Sequence, residues 1–334
     1  MFYSAYYKYR KLCSFLSRFN LETLKIFGLL CGKRIYLTYN NRVNADGLGA
    51  QLQRQISVCA ISNYLGLNFV FSPITSITIH PLDGISDYSA YLQKANDFFD
   101  FNNFIKDLDI SKSNVHIYLK KINFLGFLKY FVLSIVLQKV YVLHVFEIEN
   151  LVDSHPEMIS CIASRVIKIN KDKIGENAIV MHYRQGTGNF AIYPGQKVPR
   201  QVELHHFYSR VLDILKNDSS IVKLYILTDA PVSQLVFRPP DFQKSAWIGS
   251  PNFDGQASVI HPLQFDEFIR LSSVRTEIFR GGDPLDAIQL MLSADYLLIS
   301  RSSFSYLPAL LNFGAQIFYP RFFWHSPLKN WKLL

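Results

Sequence analysis

Ala178-Ile179-Val180-Met181 is a run of four apolar residues that stops abruptly at His182-Tyr183-Arg184 and a turn carrying Gly186 and Gly188. A run so short, bounded by a polar exit and glycines, reads as a buried strand. In an open α/β sheet the loops leaving the carboxyl ends of strands are where ligands sit, and Arg184 would bring to that place a guanidinium fork suited to phosphate. An edge strand with a solvated arginine is the competing reading, and these residues alone do not choose between the two.

The surrounding chain points to an α/β architecture. Arg34 to Tyr39 is rich in β-formers and reads as a strand, with Asn40 to Asn44 as its polar exit. Leu48, Leu52, Ile56, Cys59 and Ala60 then recur at helical spacing as far as Gly66, and Asn68 to Ser72 is the next strand. Gly47 and Gly49 make the turn that opens this helix, where backbone can approach a ligand and N–H groups stand unpaired. A dinucleotide fingerprint needs a third glycine and an acidic residue closing the second strand, and both are missing.

The second half repeats the alternation. Val202, Phe207, Val211, Leu212 and Leu215 form a helical stripe, followed by a strand at Ile221 to Leu227 that ends near Asp229. Asp229 sits on a carboxyl-end loop, suited either to a nucleotide hydroxyl or to capping the next turn. Asp283 and Pro284 start a helix whose buried face is Leu285, Ile288 and Leu292, with Asp286 in its first turn. Next come a strand at Tyr296 to Ser300, the segment Arg301-Ser302-Ser303-Phe304-Ser305, a helix closed by Gly314, and a strand at Gln316 to Tyr319. Three hydroxyls and a helix N-terminus beside Arg301 make a ready site for a diphosphate, because hydrogen bonds and dipole both favour anions.

Composition excludes a disordered chain: 334 residues, 49% of them hydrophobic and only 18% charged, can fill two ordinary domains. The formal charge of +9 is concentrated at the start, where residues 1 to 34 hold seven bases against Glu22 alone, interleaved with aromatics. That mixture suits an anionic headgroup layer, while no nucleic-acid module accompanies it; a helix packed on the first domain is the alternative. Phe124 to Val145 is the most apolar region, but Lys129 and Lys139 leave nine residues between charges. Roughly 20 are needed to span a bilayer, so the region reads as buried helix and strand. The start shows no secretion signal. Cys13, Cys31, Cys59 and Cys161 have neither disulfide-motif nor metal-site spacing, which fits reduced thiols in a cytoplasmic protein.

Three motifs, in this order, carry a family resemblance. Gly47-Leu48-Gly49-Ala50-Gln51, His182-Tyr183-Arg184 and Ser302-Ser303-Phe304-Ser305 resemble the Gly-Leu-Gly-Asn-Gln helix start, the His-x-Arg strand and the Ser-Ser-Phe-Ser segment of GDP-fucose-dependent fucosyltransferases. Within that superfamily they are most similar to the bacterial α-1,2-fucosyltransferases. The resemblance implies a GT-B-like α/β fold of two Rossmann-like domains facing across a cleft. Residues 1–165 would form an acceptor-binding domain with a basic aromatic N-terminal segment. Residues 166–334 would form the nucleotide-sugar domain, with Arg321 to Leu334 packing back across the first half.

The activity implied is inverting transfer of L-fucose from GDP-fucose to a sugar hydroxyl of a surface glycan, in α-1,2 linkage, with no metal and no cofactor. Arg184 would bind the β-phosphate and stabilise the leaving GDP. His182, Arg301, Ser302, Ser303, Phe304 and Ser305 would line the donor site, with Asp229 or Asp286 near the nucleoside. Asp46, beside the first glycine turn, is the choice of base, and His80 the reserve. Asp107-Leu108-Asp109 spells the Asp-x-Asp of metal-dependent glycosyltransferases, but Phe104-Ile105-Lys106 before it looks like a helix end and not a delivering strand. The partners implied are an oligosaccharide or lipid-linked glycan acceptor and an anionic membrane surface, with no nucleic acid, at the cytoplasmic face of an inner membrane. A transferase using another nucleotide sugar, a nucleotide-sugar hydrolase or epimerase, and a non-catalytic binding module are the alternatives.

Overall fold

Two all-parallel sheets carry the chain. The structure, a computed structural model, describes residues 21–30, 32–42, 47–77, 87–106, 114–148, 155–167, 177–184, 202–228, 235–236, 259–260, 265–271, 273–320 and 325–334. These divide into two units, one up to Ile167 and one from Asn177 onward, the division falling at 168–169.

The first unit opens with a helix over residues 21–30 (α1). It continues through β1 (Ile35–Tyr39), α2 (Leu48–Leu65), β2 (Asn68–Val70), α3 (Tyr88–Asn96), β3 (Asn114–Ile122), α4 (Phe124–Val136), β4 (Val140–Ile148) and α5 (Glu157–Val166). Its strands stand in the order β2-β1-β4-β3 and every pairing is parallel. α2 starts at Gly47 and stops where Gly66 takes a left-handed φ of 66°, a conformation that glycine adopts without steric cost. Gly28 has a different use: a methyl built there would overlap the Leu65 carbonyl oxygen, so its absence lets α1 rest on the end of α2.

The second unit contains β5 (Ala178–Tyr183), α6 (Leu204–Asn217), β6 (Lys223–Thr228), the short antiparallel pair β7 (Leu235–Val236) and β8 (Val259–Ile260), and α7 (Asp266–Ile269). Then follow β9 (Arg275–Arg280), α8 (Pro284–Leu292), β10 (Tyr296–Leu298), α9 (Ser303–Leu311), β11 (Gln316–Tyr319) and β12 (Lys332–Leu333). The main sheet runs β12-β11-β10-β5-β6-β9, all parallel. Counted in chain order, this is the Rossmann arrangement: β5, β6 and β9 are laid successively in one direction, then β10, β11 and β12 successively in the other. The expected α/β class with two Rossmann-like halves is what the chain adopts.

All six residues of β5 are buried, and the face each side chain takes follows the two-residue period of a strand. Ile179, Met181 and Tyr183 enter a core shared with Phe207, Val211 and Ile214 of α6 and with Phe265 and Phe268. Asp283 caps α8 by accepting from the Leu285 N–H at 2.8 Å, and Pro284 occupies the first turn, as its missing N–H allows.

The end of the chain extends the second sheet: β12 pairs with β11, and buried Trp331 lies edge-on to Tyr306. Its parallel pairing places these last residues in the second unit. Phe124 to Val145 does divide into a helix and a strand, but α4 buries only Phe127, Tyr130, Phe131 and Ser134. Leu125, Val132, Ile135 and Val136 face solvent and Phe124, Leu128 and Leu133 are half-buried, which corrects the reading of this region as buried helix: one helix stripe is all that a single neighbouring layer covers.

Candidate functional site

In the second sheet the chain builds outward from β5 to β6 and β9, then returns to place β10 on the other flank of β5. In open α/β sheets that reversal leaves a crevice at the carboxyl ends of the two central strands. Here those ends carry His182 of β5 and Arg184 just after it, Ser300 to Ser302 from the segment joining β10 to α9, and Ser303 to Ser305 from the first turn of α9.

Strand periodicity decides which side chains meet. With Ile179, Met181 and Tyr183 committed to the α6 face, His182 and Arg184 take the opposite one, toward α9. The His182 ring lies 5.3 Å from that of Phe304, and its Nδ1 is 2.8 Å from Ser300 Oγ. Arg184 Nη1 donates to Ser302 Oγ at 2.9 Å. Ser302 is also the N-cap of α9, its Oγ accepting from the Phe304 N–H at 3.3 Å. One hydroxyl thus ties the guanidinium to the positive end of a helix dipole. Arg184 Nε is buried and has no hydrogen-bond partner among the described residues. An unmet buried donor costs about 1–3 kcal/mol, and beside a helix N-terminus it is the kind of group an incoming anion satisfies.

The flanks of this turn are buried and held. Ser305 Oγ reaches the carbonyls of Ser300 and Ser302 at 3.4 and 3.3 Å. Arg301 is buried, and loss of solvent pulls its pKa below the ordinary arginine value, although a guanidinium stays charged at neutral pH. Ser303 Oγ lies 2.9 Å from Nε2 of buried His325, whose ring stacks on Tyr306 at 4.2 Å.

Of the residues singled out from sequence, the structure gathers His182, Arg184, Ser302, Ser303, Phe304 and Ser305 along this one turn, with Arg301 beside them. Asp286 is exposed in the first turn of α8, which leaves the sheet at β9, two strands from β5. Gly47 and Gly49 open α2 in the first unit. Asp46, His80 and Asp229 lie outside the described residues, as does Asp107-Leu108-Asp109. Sequence reasoning missed Ser300 and His325. Ser300 carried a signal, as the last strand residue before Arg301; His325 carried none, since it meets Ser303 only through the fold.

The first unit holds a second cluster of titratable side chains. His116 Nδ1 on β3 and His144 Nε2 on β4 are 3.0 Å apart, Tyr118 stacks on His144 at 4.2 Å, and Arg42 lies 4.0 Å over the Tyr118 ring. Burial, then His116, then Arg42 hold the His144 pKa down to about 4.

No family model matches this chain, and no curated protein matches it. Among solved structures it is similar to POFUT1 in complex with GDP, at 8% sequence identity over 85% of this chain and 97% of that one, with a TM-score of 0.40. A second crystal form of the same complex aligns over 86% of this chain and 99% of that one, at 8% identity and a TM-score of 0.42.

Proposed function

We propose that this chain is an inverting, metal-independent glycosyltransferase that moves L-fucose from GDP-fucose to a sugar hydroxyl of a surface glycan, in α-1,2 linkage, the acceptor being an oligosaccharide or a lipid-linked glycan. The observation that carries this reading is the Arg184–Ser302 contact at the strand-order reversal, which joins a cation with an unmet donor to a helix N-terminus. That combination suits a nucleoside diphosphate better than a neutral ligand.

In this reading the two units form a GT-B-like pair, the first binding acceptor and the second donor. The acceptor oxygen loses its proton to a base and attacks the anomeric carbon. The bond from that carbon to the β-phosphate oxygen breaks, and its electron pair leaves with GDP. Arg184 and the α9 N-terminus stabilise the charge that accumulates there, where fixed donors have most effect. His182 holds the Ser300 side of the turn, and Asp229 or Asp286 meets the nucleoside. Asp46 is the proposed base and His80 the reserve, on geometric conditions that a bound acceptor would have to meet.

Arg184→Ala should lower transfer by roughly 100- to 1,000-fold while leaving circular dichroism unchanged; near-normal turnover would reject its role. A panel of GDP-, UDP-, dTDP- and CMP-sugars tests the donor, and exclusive use of a non-guanosine donor would end the fucosyl assignment while keeping the transferase. Donor binding without product would make the chain a binding module. Transfer should survive EDTA. Loss of activity restored by Mn²⁺ would overturn the metal-free mechanism and direct attention to Glu203, His205 and His206, an exposed trio at the start of α6 able to hold an ion.

A further inference from the structure

Half of the exposed large hydrophobic side chains among the described residues, eight of sixteen, belong to two adjoining helices of the first unit and the residue after one of them. On α1 they are Ile26, Leu29 and Leu30, with Leu29 78% exposed; on α4 they are Leu125, Val132, Ile135 and Val136, followed by Leu137, with Leu125 at 68% and Val136 at 69%. The helices are held together: Phe27 stacks on Phe131 at 6.2 Å with the rings 7° apart, and Arg34 Nη1 donates to the Ser134 carbonyl at 3.4 Å. Single exposed apolar residues are ordinary on a soluble surface, whereas a contiguous set marks a face that meets something.

Charge says what it meets. Residues 21–42 and 114–140 contain Lys25, Lys33, Arg34, Arg42, Lys120, Lys121, Lys129 and Lys139 against the single acid Glu22, which is engaged with the Tyr64 hydroxyl at 2.7 Å. A groove at the foot of α4 is lined by Lys121, Asn123, Lys129 and Tyr130. No described helix is long and apolar enough to cross a membrane.

We propose that the α1–α4 face seats on an anionic lipid surface, its apolar side chains entering the acyl boundary while the lysines meet headgroup phosphates, two of them in the groove. A second copy fits less well, because a two-fold contact through this face would set its lysines against their own counterparts. The proposal stands apart from the transferase reading and is tested without donor.

The full chain is floated with vesicles of phosphatidylcholine alone and of phosphatidylcholine mixed with phosphatidylserine. It should bind the mixed vesicles and leave the neutral ones, and binding should fall as salt is raised. Leu29→Glu with Val136→Glu, and separately Lys121→Glu with Lys129→Glu, should each lower binding by roughly tenfold or more at unchanged circular dichroism, since all four side chains are exposed. Absence of binding to the mixed vesicles, or unaltered binding by both variants, would overturn the proposal. So would a concentration-dependent dimer that the Leu29→Glu, Val136→Glu variant abolishes, which would give the face to a second copy.

Discussion

Ser302 carries two duties with one oxygen, capping α9 and anchoring Arg184. Ser302→Ala should cost about 1 kcal/mol in urea denaturation from the lost cap, and it should weaken GDP binding measured by calorimetry because Arg184 is no longer held. Ser305→Ala, within the same turn, removes bonds to carbonyls only and should spare GDP affinity. His144 makes a prediction about pH. Its pKa is lowered to about 4 in the fold, against about 6.5 in the unfolded chain, so between these values the unfolded chain holds more proton and stability falls as pH falls. The ring is partly exposed, and after allowance for solvent screening the loss should be about 1–2 kcal/mol from pH 7 to pH 4. Urea midpoints measured across that range should depend less on pH in His144→Gln; an unchanged dependence would remove His144 as the cause.

At the scale of elements, Asn312 joins the ends of two helices. Its amide nitrogen donates to the carbonyls of Met291 and Ala294 at 3.0 and 2.9 Å, and its oxygen accepts from the N–H groups of Gly314 and Ala315. Asn312→Ala should therefore cost about 3 kcal/mol, since three buried backbone groups and the more exposed Gly314 N–H lose their partner at once; a shift in urea midpoint worth under 1 kcal/mol would refute this account. Gly28→Ala forces α1 off the Leu65 carbonyl and should appear as protease cleavage near residue 28 before the chain unfolds globally. Helices α2, α6, α8 and α9 were legible in sequence, because a stripe repeating every three to four residues and a terminal Gly, Asp or Ser are local signals. β9 was not: Arg275-Thr276-Glu277-Ile278-Phe279-Arg280 is an edge strand paired on one side only, and its side chains lack the apolar run that marks a central strand.

For the whole molecule, the second unit has its own six-stranded sheet and core, so residues 169–334 expressed alone should melt cooperatively and retain GDP binding while showing no transfer. A non-cooperative melt would show that its core needs the first unit. What the amino-acid order settled by itself was the kind of element at each place and the chemistry at each strand's carboxyl end. Strand runs, helical stripes, caps and exit turns depend on neighbours a few residues away, so His182-Tyr183-Arg184 and Ser302 to Ser305 were readable as separate fragments. That Arg184 and Ser302 touch across 118 residues, that His325 meets Ser303, that the chain's end joins β11, and that α4 shows apolar side chains to solvent were decided only by the tertiary structure. Strand order and layer coverage arise from which way each crossover turns and which faces find a partner, and no local run of residues carries that information.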